Sequence, residues 1–259
     1  MRIATMRVCL PLAASLLAGC ASSGPPKPPT PWLDATPRMA VVSAFEPELA
    51  LLLSQTGQRR DYTVNGTTFT TGVLRGKPVV LFQSGISMVN AAMNTQRVLD
   101  RFQVTHVVFS GIAGGVNPAL HIGDVTVAQR WGQYLEVVMA RETKSGQYQP
   151  PQRMAGELKF PNFGMMFTRP VGVRSAGRIG EEDRFWFEAD PKMLDVARGI
   201  QDTALARCDA ARQCLAHPPR VVVGGSGVSG QAFVDNAALR EYAYKTFDAN
   251  VLDMETAAT

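Results

Sequence analysis

The feature that most constrains this chain is a series of short apolar runs separated by helical patterns and glycine-rich or acidic turns. The runs are residues 39–44 (MAVVSA), 79–82, 104–110, 220–225 and 251–254. Runs this short and this continuously apolar read as buried strands. Residues 46–53 follow the first run, with acids at the start and leucines behind, which suits a helix N-terminus. Residues 88–102 are amphipathic, with Met88, Ala91, Ala92, Val98, Leu99 and Phe102 predicted on one side. Asp190-Pro191 reads as an N-cap with proline in the first turn, opening a helix to about Cys208. Asp235 is predicted to cap a helix to about Phe247. Asn65-Gly66 and Arg75-Gly76-Lys77 predict two hairpin turns. Residues 123–129 form a further strand. Residues 143–185 show no clean period and read as an excursion with some strand near 170–174. Strands alternating with helices, plus hairpins, predict one α/β domain with a mixed sheet and no internal repeat.

The composition is that of a globular protein. With 46% apolar residues and 26 Lys+Arg against 22 Asp+Glu, a disordered chain, a collagen-like repeat and a polytopic membrane protein are excluded. The N-terminus is read as an address. Arg2 and Arg7 precede an apolar stretch from Cys9 to Ala18, broken only by Ser15. Such a stretch is too short to span a bilayer but suits a signal-peptide core. It ends in Leu17-Ala18-Gly19-Cys20, which resembles the lipobox of bacterial lipoproteins. That resemblance implies that residues 1–19 are a removed signal peptide and that Cys20 carries the lipid. The alternative is an ordinary cleaved signal with Cys20 as an incidental thiol. Ala21, rather than Asp, implies the outer membrane, with the domain facing the periplasm. Residues 20–37 are proline-rich and read as a tether, leaving 38–259 as the domain. The lipid is then its only membrane attachment. Without Arg2 and Arg7 the formal charge of +4 falls to roughly +2, with no long basic run, so no nucleic-acid partner is expected.

Cleavage and acylation leave Cys208 and Cys214 in an oxidising compartment, where they are expected to form a disulfide. One continuous helix would put them about 9 Å apart along its axis, so the bridge needs the helix to end between them. Two free thiols are the alternative. His106, His121 and His217 are scattered without metal-ligand spacing, so neither a metal nor another cofactor is expected.

Four local features could carry chemistry. Glu46-Pro47-Glu48 lies at a strand-to-helix junction, where α/β folds place ligands; helix-end charge complementarity explains it equally well. Gly111-Ile112-Ala113-Gly114-Gly115 follows a buried strand and lets backbone N–H groups approach a ligand; a plain turn is the alternative. Residues 224–233 form a glycine-rich loop ending in Phe233, which offers either a ring for base stacking or a core side chain. Glu255, after the last strand, could accept two hydrogen bonds from a diol, or simply open a helix.

The order and spacing of these features are more telling than any one of them. VVSAFEPELALL, LFQSGISMVNAA, SGIAGGVNPALHIGDVTVAQ, SGQAF and LDMETAA run in sequence through residues 39–259. Together they resemble the nucleoside phosphorylase/nucleosidase family, in particular its methylthioadenosine/S-adenosylhomocysteine nucleosidase branch. The resemblance implies a three-layer α/β/α sandwich with a mixed central sheet. It implies hydrolysis of the N-glycosidic bond of a purine nucleoside or thionucleoside through an oxocarbenium-like state, which needs an acid, a water-activating carboxylate and a grip on the ribose. Glu48 falls at the water-activating position and Glu255 at the ribose grip. Met254 falls where a methionine packs on the sugar. Phe233 matches the purine platform, with Val234 offering backbone bonds to the base edge. Gly111, Ile112, Ala113 and Gly114 line the sugar and nucleophile region. Family members are dimers or larger, so a homodimer is implied, and residues 131–141 are expected at a subunit contact or at the pocket mouth.

Two departures stand out. Ile112 replaces a Ser or Thr and cannot hydrogen-bond through its side chain. The chain given also stops at Thr259, where the family continues through a strand, a Ser-Asp pair whose Asp protonates the base, and a helix. The expectation is therefore a truncated sheet and impaired turnover. Two rival functions remain: a phosphorylase, for which Arg59 and Arg60 are the nearest basic pair to the first loop, and a non-catalytic nucleoside-binding or storage lipoprotein.

Overall fold

The computed structural model describes residues 32–259. The expected signal peptide, the expected lipidation site Cys20 and the first part of the expected tether lie outside the described residues. The end of the expected tether is already folded. Strand β1 spans Asp34–Ser43, and an ion pair from Arg38 to Asp34 at 2.7 Å fixes its start.

β1 is followed by α1 (Glu46–Gln55), β2 (Gly57–Val64), β3 (Thr67–Leu74), β4 (Lys77–Gln83), α2 (Met88–Arg101) and β5 (Phe102–Phe109). The five strands form one mixed sheet in the order β2-β3-β4-β1-β5. β2, β3 and β4 are antiparallel, and both β4 and β5 run parallel to β1. The two predicted turns join the antiparallel strands. Asn65 and Gly66, like Arg75 and Gly76, all take positive φ, as two-residue hairpin turns demand.

The runs at 39–44 and 79–82 are continuous because β1 and β4, in the middle of the sheet, are buried on both faces; the runs at 104–110 and 220–225, expected to be buried, are only partly covered. Ala40, Val42, Val80 and Phe82 point to one side, where Phe69, Phe102 and Val98 of α2 complete a core. Val41, Val79 and Leu81 point to the other, against Leu49 of α1. Helix, sheet and helix thus form the three layers of an α/β/α sandwich.

The second half builds another five-stranded sheet. After β6 (Gly114–Gly115) and β7 (Val125–Val127) come β8 (Arg130–Gln133), β9 (Trp186–Glu188), α3 (Pro191–Gly199), β10 (Val221–Val223), β11 (Ser226–Ser229), α4 (Ala237–Phe247) and β12 (Ala249–Asp253). The sheet order is β9-β8-β11-β12-β6, while β7 and β10 pair separately. Val228, Leu252, Tyr134, Ala243 and Phe247 form its core. Residues 137–184 hold three short antiparallel pairings: Val137–Met139 with Met166–Thr168, Arg141–Lys144 with Gln147–Gln149, and Val171–Val173 with Glu182–Arg184.

Several expectations are corrected. α3 begins at Asp190, whose side chain accepts from the Lys192 and Met193 N–H groups, but it ends at Gly199, a residue that weakens helices. Cys208 and Cys214 lie beyond it in an antiparallel bridge and are joined as a disulfide, with Cα atoms 4.0 Å apart. The cap of α4 is Asn236, which accepts from Leu239 N–H, not Asp235. On α2, Leu99 and Ala92 face outward, while Asn94 and Thr95 are buried. Asn94 turns the helix this way by donating to Ser84 O at 2.7 Å and accepting from Thr67 Oγ1 at 2.9 Å. Residues 131–141 are no simple surface strip. Trp131 in β8 packs its ring where a Cβ on Gly227 would stand, at 2.6 Å, and Tyr134 is fully buried.

Candidate active site

The parallel strands β1, β4 and β5 end side by side, and serines seal their ends. Ser84 N–H donates to Ser43 O at 2.8 Å, and Ser110 N–H to Val42 O at 2.7 Å. Ser43 Oγ donates to Ser110 O at 2.7 Å. Three loops therefore leave one sheet edge together, on the side where α/β sheets bind ligands.

The first loop is a single tight step. Phe45 is extended, and α1 starts at once with Glu46 and Pro47. Glu48, in the first turn, folds back over the strand end. Its Oε2 accepts from Ala44 N–H at 2.7 Å, and its Oε1 accepts from Ile112 N–H at 2.8 Å. Charge complementarity with the helix would require neither bond. Gly111 makes the second one possible, because a Cβ there would lie 2.8 Å from Glu48 Oε1. Ile112 acts through its backbone, which any residue except proline provides, so its side chain does not weaken the hold on Glu48. That side chain is 75% exposed. Ala113 follows, and Gly114 then pairs with Leu252 of β12, tying the loop to the second sheet.

The opposite wall is Glu255, just beyond β12 and nearly fully buried. Its Oε1 accepts from Ser87 N–H at 2.6 Å and its Oε2 from Met254 N–H at 3.2 Å. Ser87 holds φ at 83°, an uncommon conformation for a side-chain-bearing residue and one that collects at functional sites. Burial raises the Glu255 carboxyl above its ordinary range; the Ser87 bond opposes this, while the nearby Asp253 and Glu48 carboxylates add to it. Two carboxylates predicted from distant motifs are thus close enough to sense each other. Met254 is half-buried between the strand and this turn.

Phe233 sits on the loop after β11, with its ring 89% exposed, and Val234 packs on the second core. Gln231 brings the loop to the site by accepting from Ser87 Oγ at 3.5 Å. The sequence reading missed Ser87 and Asp253, although both stand inside the quoted motifs. It also missed that His121 and His217 meet, with ring centroids 4.0 Å apart. Among the described residues, no group of three or more His, Cys, Asp or Glu side chains is placed to hold a metal ion.

Known proteins resemble this chain in sequence and in fold. Residues 38–259 match the sequence profile of the phosphorylase superfamily. Over 218 residues the chain is 43% identical to a 5′-methylthioadenosine/S-adenosylhomocysteine nucleosidase of Bacillus cytotoxicus, spanning 78% of this chain and 94% of that protein. A nucleosidase of the same name from Geobacillus thermodenitrificans is 34% identical over 165 residues, 62% of this chain and 69% of its own length. In three dimensions the chain resembles a Helicobacter pylori MTAN mutant solved with 5′-methylthioadenosine in its active site. There the TM-score is 0.59 at 22% identity, over 85% of this chain and 76% of that one.

The raised Glu255 carboxyl has a consequence for stability. It holds its proton to higher pH in the fold than in the unfolded chain. The stability this confers is complete below the ordinary value of 4.5 and is lost as the pH rises through the raised value. Glu255→Gln suffers no such loss. Thermal midpoints measured between about pH 4 and about pH 8 are therefore expected to move in the variant's favour as the pH rises. Parallel curves would show that Glu255 ionises alike in both states.

Proposed function

Because the chain belongs to the phosphorylase superfamily, we propose that it hydrolyses the N-glycosidic bond of a purine nucleoside or thionucleoside, with Glu48 as the group that activates water. The observation that carries this reading is the pairing of Glu48, held rigidly by two backbone N–H groups, with Glu255 across the sheet ends. Breaking the bond leaves positive charge on the sugar. Two carboxylates repel one another in the empty site, and a cation between them relieves that repulsion. Their stabilisation of the sugar therefore grows as the bond breaks, which is what lowers a barrier. In this reading Glu255 accepts the ribose hydroxyls, Met254 packs on the sugar and Phe233 covers the purine, with the Val234 backbone at the base edge. Glu48 takes a proton from the attacking water as its oxygen bonds to the sugar carbon; the purine leaves with the electrons of the C–N bond and takes its proton from solvent.

A phosphorylase would bring a phosphate dianion to the same place, against two carboxylates. The basic pair considered for it is engaged elsewhere: Arg59 reaches Leu53 O, and the Arg60 guanidinium lies over the Tyr62 ring. Base release is therefore independent of phosphate in this reading. The storage-protein alternative has no comparable support, since binding alone needs no water-activating carboxylate.

The protein is further proposed to work at the outer membrane, held by a lipid on Cys20 and facing the periplasm. The support is the Leu17-Ala18-Gly19-Cys20 motif and the Cys208–Cys214 disulfide, which suits an oxidising compartment. A homodimer is proposed as well. Its support is an exposed apolar stripe, Val89 and Met93 on α2 with Ile86 just before it.

Two experiments follow. Glu48→Gln is expected to lower kcat for 5′-methylthioadenosine by about a hundredfold or more while the fold persists; near-parental turnover would remove Glu48 from the role. Cys20→Ser is expected to shift the protein from the membrane fraction to the soluble periplasmic fraction, and an unchanged distribution would refute the anchor.

A further inference from the structure

We propose that Asp253 and Ser229 are a positioning pair that clamps the Phe233 loop to the Glu255 turn. The inference rests on the nucleosidase reading and goes beyond it, to a pair of residues that touch no substrate.

Asp253 ends β12 and is only 7% exposed. None of the ion pairs among the described residues includes it. A buried carboxylate without a cation is costly unless hydrogen bonds replace its water. Asp253 has several such bonds. Its Oδ2 accepts from Thr256 N–H at 3.1 Å and from Thr256 Oγ1. Its Oδ1 accepts from Ser229 Oγ and, more weakly, from Glu255 N–H at 3.4 Å.

The bonds to residues 255 and 256 are local and hold the entry to the short turn Thr256–Ala258. The bond to Ser229 is of another kind. Ser229 is the last residue of β11, fully buried, and directly precedes the loop that carries Phe233. Its Oγ also accepts from Ala257 N–H at 2.9 Å. One hydroxyl thus binds both the carboxylate and the turn whose entry the carboxylate holds. Gly230 N–H donates to Asp253 O at 3.1 Å, so backbone and side chain join the two segments. From Glu255 the connection continues to Ser87, and from Ser87 to Gln231. The loop proposed to hold the base and the turn proposed to hold the ribose therefore share one buried node. Displacing either half by a fraction of an ångström would misalign the sugar between the carboxylates.

Charge adds to geometry here. Two ionisable groups sense the Asp253 carboxylate: Glu255, raised first by burial and further by Asp253, and the buried Tyr134 phenol. Burial and Asp253 push Tyr134 up to about 12, and its oxygen has no hydrogen-bond partner. Glu255 also faces Glu48. Burial raises the Asp253 carboxyl itself, and the Ser229 bond opposes that rise. Removing the Asp253 charge should let Glu255 ionise at lower pH, whereas removing the Ser229 hydroxyl weakens that charge without deleting it.

The test uses the full chain with Asp253→Asn and Ser229→Ala, folding being checked by circular dichroism. Rates of 5′-methylthioadenosine cleavage are measured against pH, and the Glu255 carboxyl is titrated by ¹³C NMR without substrate. Each variant is expected to lose about tenfold or more in kcat/KM. Asp253→Asn should move the acid limb and the NMR midpoint to lower pH, and by more than Ser229→Ala does. A residue that merely holds the turn would lower the melting temperature, keep kcat/KM within about twofold and leave the Glu255 midpoint unmoved; that result overturns the proposal. If Asp253→Asn does not fold, the loss in Ser229→Ala decides. If the parent protein cleaves no purine nucleoside, the nucleosidase reading fails, and the NMR midpoints still decide whether Asp253 governs Glu255.

Discussion

The arrangement of the site depends on one carboxylate that bridges two strand ends. Glu48 lies four residues past Ala44 and 64 residues before Ile112 in the chain, yet its oxygens accept from both N–H groups. A free acid on a helix end would sweep a wide cone. Here each oxygen is fixed by a donor just beyond a different strand end, Ala44 after β1 and Ile112 after β5. Even the bare Cα of Gly111 serves this contact. Preorganisation of this kind, achieved before substrate arrives, is what makes a carboxylate an effective base.

The second sheet answers the first with an acid of its own. β12 delivers Glu255 to the same edge, and the sheets meet where Gly114 pairs with Leu252. Burying Asp253 and Glu255 two residues apart without a cation opposes folding. The cost is met by neutral donors: backbone N–H groups of Ser87, Met254 and Thr256, and the hydroxyls of Ser229 and Thr256. Neutral donors hold a carboxylate without cancelling its charge. In the proposed reaction the field they leave acts on a sugar that becomes positive, and an arginine in the same place would quench it.

Much of this was legible in the amino-acid sequence, and what was not has physical reasons. Runs such as MAVVSA are readable because a strand covered on both faces is apolar almost throughout, its one polar residue, Ser43, being bonded to Ser110 O. The hairpin turns are readable because Asn65-Gly66 and Arg75-Gly76 tolerate positive φ. Glu48 and Glu255 were found through the order of five motifs, since each acid alone is an ordinary helix-start residue. Tertiary bonds account for most of the errors. Asn94 is bonded to Ser84 and Thr67, so α2 turns Leu99 outward against its apolar pattern. Asn236 outcompetes Asp235 as a cap by a one-residue offset that composition cannot resolve. The contact of His121 with His217 joins residues far apart in the chain, which no spacing rule reports. The backbone bond from Ile112 to Glu48 was not legible, because the sequence shows only an apolar side chain there.

The central claim is that Glu48 and Glu255 together hold a sugar that is becoming a cation. Its most direct test compares two nucleoside analogues by calorimetry, one with a protonated pyrrolidine in place of the ribose and one with a neutral tetrahydrofuran. Binding at least about a hundredfold tighter for the cationic analogue is expected if the carboxylates act on the charged sugar. Equal affinities for the two would contradict the account.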